Sequence, residues 1–228
     1  MSQEMIKQMT NDTTELHIVK VLDNKLISSS SRILSFKKEF SFHAGQVIGI
    51  TNSPLIPPRL YSISSSIKDA KIEILYKVVH QGKLTPALDR LKKGDTLFIT
   101  PPFGKFIASR VPSCYVATGT GLAPFLSMIR SGIGNCRKLL HGSRETEDFY
   151  EADYLKNQLG KNYIQCYSGL EEFIGFRGRV TDYLNEASDL NKVDKYYLCG
   201  SAEMVVEARE LLIGKGIPFQ NILSEIYF

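Results

Sequence analysis

Val116-Ala117-Thr118-Gly119-Thr120-Gly121-Leu122-Ala123-Pro124 follows an apolar strand candidate at Cys114 to Ala117 and opens a helix candidate at Ala123 to Ser131. Glycines let the backbone turn sharply and leave room for a flat or phosphorylated ligand, and Pro124 suits a first helical turn, where its missing N–H goes unused. Alone, a G-x-G serves equally well as a tight strand-to-helix connection. Pro124 also stands where the common dinucleotide fingerprint has its third glycine, which argues against a standard dehydrogenase domain.

Downstream of this turn, strand candidates at Lys138 to Leu140, Tyr163 to Tyr167 and Tyr196 to Cys199 alternate with helix candidates at Phe149 to Leu159, Arg179 to Glu186 and Ala202 to Lys215. The last helix is stopped by Gly214, Gly216 and Pro218. Such alternation predicts a parallel α/β sheet. Upstream, Glu15 to Leu22, Arg32 to Phe36, Gln46 to Ile50, Lys71 to Val79 and Thr96 to Ile99 read as short strands, with one short helix candidate between Thr85 and Leu91. Many short strands parted by Gly, Pro and Ser predict a closed antiparallel barrel. The expected organisation is therefore two-domain: a polar segment over 1–14, an antiparallel β-barrel domain over 15–110, and an α/β parallel-sheet nucleotide-binding domain over 111–228. Ser28-Ser29-Ser30-Ser31 reads as a solvated turn.

The bulk properties narrow the chemistry. Apolar runs such as Gln46-Val47-Ile48-Gly49-Ile50 are far shorter than the roughly 18 to 20 residues that cross a bilayer, and Met1 to Asn11 is polar. No membrane association and a cytoplasmic location are expected. Cys114, Cys136, Cys166 and Cys199 are scattered singly, so neither a zinc site nor a cysteine-ligated cluster has a local scaffold, and no metal is expected. Redox chemistry would then come from a bound organic cofactor. The formal net charge of +4 is spread along the chain without a basic stripe for nucleic acid, and suits an acidic protein partner.

Arg59-Leu60-Tyr61-Ser62-Ile63-Ser64-Ser65 puts a cation, an aromatic ring and hydroxyls on one short strand. By period-two alternation Arg59 and Tyr61 share one face and Leu60 and Ser62 the other, so one side can hold a diphosphate and a ring system together; a half-buried barrel strand has the same pattern. Gly82-Lys83-Leu84-Thr85 offers exposed N–H groups at a helix start, which favour an anion, although Thr85 can equally be a simple cap. Cys199-Gly200 ends a strand candidate on the side where open α/β sheets bind ligands. The chain end, Ser224-Glu225-Ile226-Tyr227-Phe228, is more apolar than most termini, so burial is expected for it.

Taken together and in this order, the R-x-Y-S strand, the G-x-[ST] helix start, the G-T-G-x-x-P turn, the C-G strand end and the aromatic end resemble the plant-type ferredoxin–NADP reductase family, and its bacterial flavodoxin/ferredoxin reductase branch in particular. The resemblance runs from Glu15 to Phe228. It implies FAD as cofactor, with Arg59 on its diphosphate, Leu60 and Tyr61 beside the flavin, and Ser62 near flavin N5. It implies backbone lining from Leu75, Tyr76, Lys77 and Val78, a second phosphate contact at Lys83, Leu84 and Thr85, and Thr120 touching FAD across the domain interface. Gly119, Gly121 and Gly200 would receive the nicotinamide dinucleotide, with Cys199 beside its nicotinamide. Glu225 would supply or hold a proton near N5. Tyr227 would cover the flavin until nicotinamide displaces it, and Phe228 would contact the adenine of a folded FAD.

For the 2′-phosphate of NADP(H), Ser143, Arg144, Ser168 and Arg179 match family positions, and Arg177 is a possible substitute cation. Gly169 departs from the pattern where NADP-using members carry Arg, and Glu171 and Glu172 follow it. The expected activity is that of a FAD-dependent reductase moving electrons between NADPH and ferredoxin or flavodoxin, by hydride transfer to flavin N5 and then single-electron transfer. A monomer is expected, because a protein partner must reach the flavin edge. One alternative is the reductase component of an oxygenase or other multicomponent system, which often carries an added ferredoxin or haem domain for which this chain leaves no room. The other is a non-autonomous flavin electron-transfer subunit, a class that often carries a cysteine cluster and lacks the aromatic end.

Overall fold

The computed structural model of the chain describes residues 15–227; the side chain of Tyr227, the whole of Phe228 and the expected polar segment over 1–14 lie outside the described residues. The first half forms a six-stranded antiparallel sheet from β1 (His17–Leu26), β2 (Ser31–Lys37), β3 (Val47–Thr51), β4 (Arg59–Ser62), β5 (Lys71–Lys77) and β6 (Thr96–Ile99), in the order β4-β3-β6-β1-β2-β5. Its edges meet at one bridge, Ile63 with Ile74, reinforced by a 2.8 Å bond from Ser64 N to the Glu73 carbonyl. The expected closed barrel is thus a curled sheet closed at a single bridge, because among the described residues the seam between its edges pairs only there and leaves the rest of β5's outer edge without a strand. One short helix, α1 (Thr85–Asp89), follows β5.

The second half is a parallel sheet of β7 (Pro112–Thr118), β8 (Asn135–Ser143), β9 (Tyr163–Tyr167), β10 (Phe176–Arg177), β11 (Lys195–Ser201) and β12 (Ile222–Tyr227), in the order β10-β9-β8-β7-β11-β12. Helices α2 (Ala123–Ser131), α3 (Ala152–Leu159), α4 (Val180–Glu186) and α5 (Ala202–Gly214) connect the strands. The chain runs from β7 outward to β10 and then returns to lay β11 on the other side of β7. This reversal opens a crevice at the carboxyl ends of β7 and β11, the usual ligand position in such sheets.

The sheets share a core. Ala44, Leu75 and Phe106 from the first half pack in one buried cluster with Tyr115, Phe125 and Tyr197 from the second. The serine turn corrects its reading as solvated: Ser28 and Ser31 are buried, Ser28 Oγ donates to Asp148 Oδ1 at 2.8 Å, and Ser31 Oγ lies 2.7 Å from the Tyr150 hydroxyl. The run of serines reads as hydrophilic, but its hydroxyls meet a buried carboxylate and phenol of the other half. Among the described residues no helix is long and apolar enough to cross a membrane.

Candidate functional site

β4 lies at the edge of the first sheet and presents Arg59 exposed, with no ion-pair partner among the described residues. Tyr61 is half-buried, edge-on to Tyr76 with ring centroids 6.4 Å apart. Simple alternation does not sort this strand: Leu60 is 57% exposed, yet Ser62, two residues on, is 2% exposed. Ser62 is covered because Glu225 lies against it.

Ser62 Oγ donates to Glu225 Oε2 at 2.8 Å. Glu225 in turn pairs in register with Cys199 across β11 and β12, so residues 62, 199 and 225 meet where the two sheets join. Burial pushes the Glu225 carboxyl up, and the bond from Ser62 partly offsets that rise. Cys199 is fully buried within the shared core. The Gly119–Leu122 turn closes over this point: Gly119 has φ +53°, and a methyl group on Gly121 would run into the Cys199 carbonyl. Only glycine permits that approach.

Along β5 and just past its end, the side chains of Leu75, Tyr76 and Val78 are core, whereas Lys77 is exposed with Nζ 3.7 Å from Asp148 Oδ2. Beyond Ile74 the outer edge of β5 has no strand partner among the described residues, which leaves its backbone groups available to a planar ligand. Lys83 is exposed and Leu84 buried. The Thr85 hydroxyl does not cap α1: it accepts from Val79 N at 2.9 Å and lies 3.3 Å from the Val79 carbonyl, closing the loop instead. Two exposed cations, Arg59 and Lys83, an aromatic ring and an open strand edge fit a flavin dinucleotide.

A cleft of about 540 Å³ opens beside this face at the carboxyl ends of the parallel strands. Of the residues expected for the nicotinamide dinucleotide it gathers Gly119, Ser143, Arg144, Ser168, Arg179 and Gly200, and Thr120, expected on FAD, lines it as well. Arg144 is exposed and has no ion pair among the described residues, and the Ser143 hydroxyl braces its loop by bonding the Glu145 carbonyl at 2.8 Å. Gly121 is buried under the turn, and Arg177 stands outside the cleft on the edge strand β10. Sequence reading missed the acidic lining, Glu145, Asp148, Glu203 and Glu207. Glu203 carries the one usable signal: it falls in the first helical turn after Cys199-Gly200, and so beside the strand end where the cleft lies.

A curled antiparallel sheet with a flavin-shaped edge, joined to a parallel sheet with a dinucleotide cleft, defines a two-domain flavin oxidoreductase. The model of the oxidoreductase FAD-binding domain family matches residues 18–107, and that of the oxidoreductase NAD-binding domain family matches 115–210. The chain is 31% identical to ferredoxin–NADP reductase B of Sorangium cellulosum, covering 88% of this chain and 93% of that one. It belongs to the ferredoxin–NADP reductase family, within the flavodoxin/ferredoxin reductase branch. It is also 29% identical to the toluate 1,2-dioxygenase electron transfer component of Pseudomonas putida over 87% of this chain, spanning 64% of that longer protein. A crystal structure of a ferredoxin NADP+ reductase from Neisseria gonorrhoeae with bound FAD and NADP superposes with a TM-score of 0.81 at 21% identity, over 93% of this chain and 99% of that one.

Proposed function

We propose that the chain is a FAD-dependent reductase that carries electrons between NADPH and a ferredoxin or flavodoxin. The observation that carries this reading is the bond from Ser62 to Glu225, itself in register with Cys199, where the first sheet meets the strand that ends at Gly200 in the cleft lining. When bound, FAD supplies the conversion between a two-electron hydride and single electrons. Arg59 and Lys83 would neutralise its diphosphate, Leu60 and Tyr61 would lie beside the ring, and the Leu75 to Val78 edge and the Lys83 to Thr85 loop would hold its polar groups, with Thr120 reaching it from the second half. Ser62, donating to Glu225, and the Glu225 carboxyl, which burial raises, would form a proton-handling pair beside the reacting edge. Gly119 and Gly200 would face the dinucleotide, Gly121 would let their turn pack onto the Cys199 backbone with Cys199 nearest the nicotinamide, and Ser143, Arg144, Ser168 and Arg179 would take the adenosine end. Tyr227 and Phe228 are proposed as the flavin cover. The set omits Arg177. The proposed division of labour falls at 110/111, the chain acting as a cytoplasmic monomer.

The oxygenase relatives favour a second reading, service as the reductase component of such a system. Acceptor assays separate the two. The primary test is the visible spectrum of the purified chain: a flavin spectrum that bleaches anaerobically under NADPH, followed by reduction of an added ferredoxin or flavodoxin, is the expected result. A colourless protein that does not retain added FAD would sink the reading.

A further inference from the structure

We propose that Glu203 and Glu207 set the balance between NADPH and NADH by holding Arg179, one of the two arginines that face the adenosine end of the cleft. This rests on the dinucleotide reading of the cleft given above. Arg179 Nη1 lies 3.3 Å from Glu203 Oε1 and 3.9 Å from Glu207 Oε2. The two acids are four residues apart on α5 and so share one helix face. That face is fixed because Ser201 caps the helix, its hydroxyl accepting from Met204 N.

The charge around the cleft makes the arrangement consequential. Its lining holds three cations, Lys77, Arg144 and Arg179, against four acids, Glu145, Asp148, Glu203 and Glu207. Lys77 is turned to Asp148, which leaves the two arginines for a 2′-phosphate, and Gly169 beyond them brings no side chain. A phosphate monoester carries between one and two negative charges and is best held by a free guanidinium fork. At Arg179 one nitrogen of that fork, Nη1, already faces two carboxylates, which also repel the phosphate. The uncharged 2′-hydroxyl of NADH meets no such opposition. Arg179, Glu203 and Glu207 are all well exposed, with side-chain exposures of 52%, 74% and 44%. Their pairing therefore adds little to stability, and its effect on a bound anion weakens with salt.

The test uses the full chain with FAD bound and measures binding of 2′-phospho-AMP and of 5′-AMP by calorimetry, with KM for NADPH and NADH alongside. In the Glu203→Gln/Glu207→Gln variant, 2′-phospho-AMP affinity is expected to rise roughly five- to tenfold and 5′-AMP affinity less than about twofold. The gain should shrink as salt is raised. In an Arg179→Ala background it should fall to roughly twofold or less, since the acids then have no cation to release. Equal gains for both nucleotides, no gain, or a full gain without Arg179 would each overturn the inference while leaving the cleft a nucleotide site. Failure of the parent chain to bind either nucleotide would overturn the dinucleotide reading with it.

Discussion

Glu225 and Gly121 show how much single residues depend on what the fold sets beside them. Burial raises the Glu225 carboxyl above its ordinary range, so the folded chain holds that proton more tightly than the unfolded chain does. The associated stability is fully present below the unfolded pKa and is lost as pH rises through the folded one. Glu225→Gln is therefore expected to melt above the parent at about pH 8, with the difference vanishing near pH 4. Thermal melts across that range check it. The same variant should slow flavin-mediated electron transfer roughly tenfold or more if Glu225 manages a proton. At Gly121 a methyl group meets backbone rather than a flexible side chain, so Gly121→Ala should lose roughly 1 to 3 kcal/mol in urea unfolding. The special backbone of this turn was legible in the glycine pattern; the Cys199 carbonyl that enforces it was not.

At the scale of elements, α2 ties the two halves together. Ser127 Oγ donates to the Ser65 carbonyl at 2.8 Å, and Ser131 Oγ accepts from Ile67 N at 3.0 Å. Arg130 reaches the Ser64 carbonyl at 3.1 Å, Glu73 at 3.2 Å and Glu151 at 3.1 Å. Arg130→Met removes the ion pair to Glu151 and leaves Glu73 only Lys71, at 2.6 Å, among the described residues, and should lower unfolding free energy by roughly 1 to 3 kcal/mol. On the loop after β8, Arg144→Ala should raise KM for NADPH roughly ten- to hundredfold, far more than for NADH, as the loss of a charge-assisted pair demands. The helix over Ala123–Ser131 matches its sequence reading residue for residue, since its periodicity and the left-handed Gly132 stop are local. The two-residue β10 offers no periodicity to read, and β12 looks like an apolar tail until β11 supplies its partner.

The two halves share a buried cluster in which Leu75 of the first sheet packs among residues of the second. Leu75→Ala is expected to cost roughly 2 to 5 kcal/mol. Parent and variant alike should unfold in a single calorimetric transition rather than one per half. Resolved separate transitions would contradict a shared core. By itself, the amino-acid sequence determined the order of the two halves, strand-rich then alternating, and the place of the glycine turn ahead of α2. Those properties follow from periodicity and backbone preference over a few neighbouring residues. Only the tertiary structure decided that the first sheet closes at a single bridge, that Ser28 and Ser31 are buried, and that Ser62 meets Glu225 across 163 positions of chain. It alone set Glu203 and Glu207 against Arg179. Contacts between segments far apart in the chain depend on how two sheets pack, and no local pattern encodes that packing.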